Sequence, residues 1–206
     1  MIAILVILGF GGLVGLIVWA AMAEHAKMKQ RFEALAARLG LRVVEEKLSI
    51  GSQLSVVGLH QGREVKFWPY STGSGKSRTH WAAVAVRPAA TELAFEIRRQ
   101  GFATKLMEVF GSKEITVGDA AFDQEWFVQT NQPEFLAAAL VPAIREKFMA
   151  QPQRANDGSY KLADGWVQFA ERGTFSSEEV IARLEAKLAL LRDLADVAEV
   201  AATNRH

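Results

Sequence analysis

Three carboxylates stand close together near the middle of the chain. Gly118-Asp119-Ala120-Ala121-Phe122-Asp123-Gln124-Glu125-Trp126 puts Asp119, Asp123 and Glu125 in one short stretch. Carboxylate oxygens gathered this way hold divalent cations, and paired carboxylates serve as general acid and base. The spacing is not that of an EF-hand loop. Turn aspartates also bond to neighbouring backbone N–H groups. On that preferred reading Asp119 shapes a turn, Asp123 satisfies backbone donors, and Phe122 and Phe127 enter the core. Asp119 and Asp123 are therefore functional or turn carboxylates, with no metal assigned to them.

Gly73-Ser74-Gly75-Lys76-Ser77 looks like the end of a phosphate-binding loop. That loop reads G-x-x-x-x-G-K-[ST] and opens a helix. Here Tyr70 stands where the first glycine belongs, and a strand follows, so no helix N-terminus faces the loop. The histidines, His25, His60, His80 and His206, lack metal-ligand spacing, although His60 and His80 could meet across strands. The chain has no cysteine. Disulfides, cysteine–zinc sites, iron–sulfur clusters and thiol nucleophiles are excluded. No G-x-S-x-G elbow occurs. No catalytic residue, metal or cofactor is assigned.

These residues sit on elements that alternate in a recognisable way. Residues 41–44, 54–60, 63–70, 79–87 and 92–97 read as strands, with Gln61-Gly62 as a hairpin turn. In 79–87, Trp81, Ala83 and Ala85 point one way and Ala82, Val84 and Val86 the other, the pattern of a strand covered on both faces. Residues 102–110 suit a short helix, with Phe102, Leu106 and Phe110 four apart. Residues 115–117 and 126–130 read as short strands. Asn131 and Glu134 have capping-box spacing for a helix running to about Met149, which Pro142 should kink. Asp164-Gly165 turns a second hairpin, 160–163 with 166–170. Ser176 and Glu179 would cap a long final helix. In it Ile181, Leu184, Leu188, Leu191, Ala195 and Ala198 form a heptad-like seam that suits either a coiled coil or, preferably, packing on the sheet.

The N-terminus carries no charge from Met1 to Ala23. As a helix it would span roughly 34 Å, enough for a bilayer core. The sequence therefore predicts a transmembrane anchor over 1–23 in the bacterial inner membrane. Lys27, Lys29, Arg31 and Arg38 follow it, which by the positive-inside rule puts the rest in the cytoplasm. Gly11 and Gly15 form a G-x-x-x-G pair, a helix-packing motif as well as a common membrane-helix composition. Residues 24–40 read as an amphipathic juxtamembrane helix ended by Gly40, with Met28, Phe32, Leu35, Ala36 and Leu39 on one face. Residues 41–206 are then one α+β domain of mainly antiparallel strands with packed helices and a long C-terminal helix.

The run Phe122-Asp123 through Trp126-Phe127-Val128, then Asn131-Gln132-Pro133, then Leu140-Val141-Pro142, is similar to a pattern of bacterial domains of unknown function. Those domains are often tethered to a membrane. In them an FD-x-x-F-x-V strand precedes a helix containing L-x-P, then a hairpin and a long terminal helix. The resemblance implies an α+β fold and a membrane-tethered setting. It carries no catalytic residue.

With 24 basic and 23 acidic residues the net charge is +1, so no nucleic-acid partner is expected. The expected function is a non-enzymatic interaction or scaffold domain facing the cytoplasm. Its partner is a membrane, another membrane protein or a second copy, met by the stalk and terminal helix. The alternatives are a metal-assisted hydrolase using Asp119, Asp123 and a histidine, and a structural oligomer through Gly11, Gly15 and the heptad seam.

Overall fold

The computed structural model describes residues 2–47, 52–89, 91–101, 113–152 and 158–203, and of residues 2–18, 20 and 21 the backbone only. Nine strands form one antiparallel sheet in the order β1-β2-β3-β4-β9-β8-β5-β7-β6. The strands are β1 (Arg42–Lys47), β2 (Ser52–His60), β3 (Arg63–Thr72), β4 (Thr79–Val86), β5 (Phe95–Arg99), β6 (Lys113–Ile115), β7 (Trp126–Thr130), β8 (Ser159–Ala163) and β9 (Trp166–Arg172). The helices are α1 (Ile2–Leu39), α2 (Ala120–Glu125), α3 (Pro133–Ala139), α4 (Pro142–Met149), α5 (Glu178–Ala186) and α6 (Leu188–Thr203).

Both expected hairpins close through residues that accept positive φ. Gln61 and Gly62 lie at φ 51° and 81°, and Asp164 and Gly165 at 54° and 75°. Such pairs make the mirror-image turns that match strand twist. β4 lies between β3 and β9, and Ala82 to Val86 are all fully buried. The doubly apolar pattern thus marks a central strand.

One face of the sheet carries the helices. α1 packs on β1 and β2, and α5 and α6 pack on β4. On α1 the row Phe32, Leu35 and Ala36 is buried, and Phe32 meets the Phe175 ring edge-on at 4.8 Å. At the other end of the sheet, the rings of Phe122, Trp126, Phe148, Tyr160 and Phe169 nest with centroids 4.7–6.3 Å apart. Edge-to-face contacts of this kind add to area burial. They join α2, β7, α4, β8 and β9 into one core.

Several expectations are corrected. Among the described residues no helix is long and apolar enough to cross a membrane, against the single-pass transmembrane anchor expected over 1–23. Where its side chains are described, α1 intersperses Glu24, Lys27, Lys29, Glu33 and Arg38 with an apolar row that is spent on the sheet. Without that anchor the single-pass inner-membrane placement is unsupported, and the sidedness argument loses its basis. The surroundings of Gly11 and Gly15, and the helix expected over 102–110, lie outside the described residues.

Pro142 does more than kink its helix. α3 ends at Ala139 and α4 starts afresh with Pro142 in its first turn, where the missing N–H costs nothing. Asn131 caps neither helix: its Oδ1 accepts the Ala94 N–H at 2.8 Å and its Nδ2 donates to Glu92 O at 2.8 Å. The cap of α5 is Ser177, one residue beyond Ser176, and accepts the Val180 N–H at 3.3 Å. The final helix is two helices, parted at Lys187. Its seam residues Ile181, Leu184, Leu188, Leu191, Ala195 and Ala198 are all buried within the domain. The heptad-like spacing therefore marks a face laid on the sheet, and that face is not available to a second copy.

Candidate functional site

Asp119 starts α2. Its Oδ1 accepts the Phe122 N–H at 3.2 Å, the side-chain bond that opens a helix. Its Oδ2 accepts Arg145 Nε of α4 at 3.0 Å, while Arg145 Nη1 donates to Leu140 O at 2.5 Å. The Phe122 N–H, and with it the Arg145 guanidinium, holds the Asp119 carboxyl below the usual carboxylate range. Asp123 bends back to the loop before it: its Oδ1 accepts the Val117 N–H at 2.9 Å and its Oδ2 the Gly118 N–H at 3.1 Å. Glu125 accepts Arg99 Nη1 at 2.5 Å, and the Arg99 guanidinium lies 4.7 Å over the Trp126 ring.

The three carboxylates thus face different donors. Both oxygens of Asp123 are taken by backbone N–H groups, which leaves little for a cation to bind. No group of three or more His, Asp or Glu residues among those described is placed to hold a metal ion. The geometry is that of a capped helix joined to its neighbours by two arginines.

His60 and His80 do not meet. His60 Nδ1 lies 3.1 Å from Leu39 O at one end of the sheet; His80 pairs with Ser71 near the other. The 73–77 segment is a tight turn between β3 and β4, with a single 3-10 turn at Gly75–Ser77. No helix begins there to cradle phosphate.

Sequence reasoning missed one pair. Ser71 Oγ and His80 Nδ1 are 3.0 Å apart across the β3–β4 register, the contact of a nucleophile with a base. Both residues are exposed on a hairpin end, and no described carboxylate orients the imidazole. The pair is a surface hydrogen bond. Its only signal in the sequence is equal distance from the turn.

A second feature is formed where α4 crosses α6. An open groove of about 390 Å³ has the buried Ile144 and Val197 at its floor and Ala139, Val141, Ala143 and Val200 on its walls. Val141 and Val200 are 45 % and 51 % exposed, so the walls stand half in water. On the rim, Lys147 pairs with Asp193 at 2.5 Å, and Asp196 pairs with Arg63. An apolar lining with half-exposed valines can receive another apolar element.

No family model matches the chain, and no curated protein matches it. Among solved structures the chain is similar to the mycobacterial trehalose monomycolate transport factor A, TtfA, whose crystal structure aligns with a TM-score of 0.58. The alignment covers 82 % of this chain and 93 % of that one at 12 % identity. At such identity the likeness is one of fold.

Proposed function

We propose that this chain is a non-enzymatic interaction domain that docks a protein partner in the groove between α4 and α6. The observation that carries the reading is the half-exposed apolar pair Val141 and Val200 beside the buried Ile144 and Val197. A groove with half-exposed walls buries less of a small molecule than a closed cavity does, whereas a protein segment can cover it. The commitment of Asp119, Asp123 and Glu125 to structural bonds supports the same reading against a metal-assisted hydrolase. The fold likeness to a transport factor supports a role beside a transport process rather than a chemical step.

The test is co-purification with the tagged full chain from its native host. Val141→Asp and Val200→Asp change exposed wall residues and leave the fold intact. Both should release a partner that the wild type retains. Retention of that partner by both folded variants contradicts the reading.

A further inference from the structure

The segment Val65 to Thr91 contains no acidic residue, while it carries Lys66, Lys76, Arg78 and Arg87. Of these, Lys76 and Arg78 stand at the end of the β3–β4 hairpin, whereas Lys66 and Arg87 lie toward its open end, where Arg87 pairs with Glu64 at 3.0 Å. The hairpin end, Ser71 to Arg78, is exposed throughout. Behind that end the rings of Trp68, Tyr70 and Trp81 stack with centroids 6.4 and 6.1 Å apart. Lys66 lies 5.4 Å over Trp68 and Arg172 lies 5.8 Å over Trp81.

α1 leaves the sheet from the same end. Its C-terminal Leu39 O lies beside His60, at the far end of β2. Its His25 lies 3.6 Å from Glu45, which pairs with Leu54 near the start of β2. At that same level Gln53 donates to Pro69 O of β3 at 2.8 Å, and the hairpin runs on past it to Thr72. Residues before His25 therefore project beyond the sheet beside the hairpin. Six residues of helix reach about 9 Å and three residues of strand about 10 Å, so Trp19 and the hairpin end project to a similar height. Trp19 and Met22 are 71 % and 68 % exposed.

We propose that this end of the domain is a docking face for an anionic phospholipid surface. Exposed tryptophan and methionine beside lysine and arginine suit the headgroup region, where apolar burial and charge attraction add. No spanning helix is needed for such peripheral contact. The acids at this end include Glu24, Glu45 and Glu46 of α1 and β1 and Glu171, Glu178 and Glu179 of β9 and α5. Glu24 is paired with Lys27, Glu45 with Ser52 and His25, and Glu171 with Arg183, and Glu178 lines a groove with Lys27 and Arg31. Single-stranded nucleic acid fits less well, because bases stack on open ring faces and here the rings face one another and their capping cations. The inference stands apart from the α4–α6 groove, which involves other elements.

The absence of cysteine makes a direct test available. The full chain carrying Ser74→Cys or Leu59→Cys, the latter on the opposite end and exposed, is labelled with an environment-sensitive dye. Each is mixed with vesicles of phosphatidylcholine, with or without about 30 % phosphatidylglycerol. The Ser74 label should become shielded from aqueous quencher on the anionic vesicles and the Leu59 label should not. Raising salt to roughly 0.5 M, or introducing Lys76→Glu with Arg78→Glu, should weaken the Ser74 effect about tenfold. A Ser74 label that stays water-accessible on anionic vesicles overturns the proposal. So does equal shielding on both vesicle types, and so does tight binding of a thymidine oligonucleotide in place of the vesicles.

Discussion

Arg63 of β3 and Glu199 of α6 are joined through two parallel contacts, Nη1 to Oε1 at 2.5 Å and Nη2 to Oε2 at 2.9 Å, across 136 residues of sequence. Glu199 Oε1 also accepts the Ala89 N–H at 2.8 Å, and Asp196 shares the same guanidinium. A fork matched to a carboxylate fixes direction as well as distance. This contact pins the terminal helix to the start of β3, and with it one wall of the α4–α6 groove.

That contact makes stability depend on acid. The Arg63 guanidinium, and after it the Ala89 N–H, lowers the Glu199 carboxyl from the ordinary 4.5 to about 2. A depressed carboxylate contributes fully above its unfolded value and loses that contribution as pH falls through its folded value. The Glu199 contribution should thus be complete above pH 4.5 and fade toward pH 2. Its side chain is 33 % exposed, so solvent screening keeps the worth near 1 kcal/mol. Glu199→Gln should lower the urea midpoint at pH 7 and flatten stability across that acid window; equal pH dependence in variant and wild type would count against it.

Gly158 offers a sharper probe of packing. A Cβ built there would overlap the Ala170 carbonyl of β9, which is backbone and cannot swing aside. Gly158→Ala should cost more than about 2 kcal/mol by forcing the strands apart. A change below about 0.5 kcal/mol in denaturant titration would show that the strands yield.

The seam of the last two helices separates burial from oligomerisation. Leu188 is 5 % exposed and Leu191 is fully buried. Leu188→Cys should resist thiol reagents in the folded chain, react after denaturation, and give no disulfide-linked dimer. Rapid labelling or a trapped dimer under native conditions would restore the coiled-coil reading.

The carboxylate stretch gives a test of chemistry. Asp123→Ala removes the acceptor of two backbone N–H groups and should lower the melting temperature. Magnesium, manganese or calcium at millimolar levels should leave the wild-type melting temperature where it is. A metal-dependent rise that disappears in Asp123→Ala would favour the hydrolase.

The sequence was readable wherever local pattern and tertiary fate agree. Gln61-Gly62 and Asp164-Gly165 announce their turns, and the doubly apolar β4 announces its central place. Signals that admit two outcomes were less decisive. The step of three and four from Ile181 to Ala198 serves a coiled coil and a sheet-packed helix equally well, and only the covering sheet decides. The capping boxes at Asn131 and Ser176 do not form: Asn131 is taken by Ala94 and Glu92, far away in sequence, and Ser176 accepts from the Thr174 hydroxyl while Ser177 caps the helix. α2 escaped notice because six residues are too few to show a period. The groove is not visible in the sequence, since Val141 and Val200 come to line one surface only when α4 packs against α6. The apolar N-terminus suggested a spanning anchor, whereas the described part of α1 is built to lie on a sheet.

The most direct test of the interaction reading is site-specific photocrosslinking in the native host, with the crosslinker placed at Val200 and, as control, at Leu59. Leu59 is 71 % exposed on β2 and is not among the residues that line the groove. The account predicts one discrete protein adduct at Val200 that is absent at Leu59. An adduct at Leu59 with none at Val200 would place any partner elsewhere and contradict it.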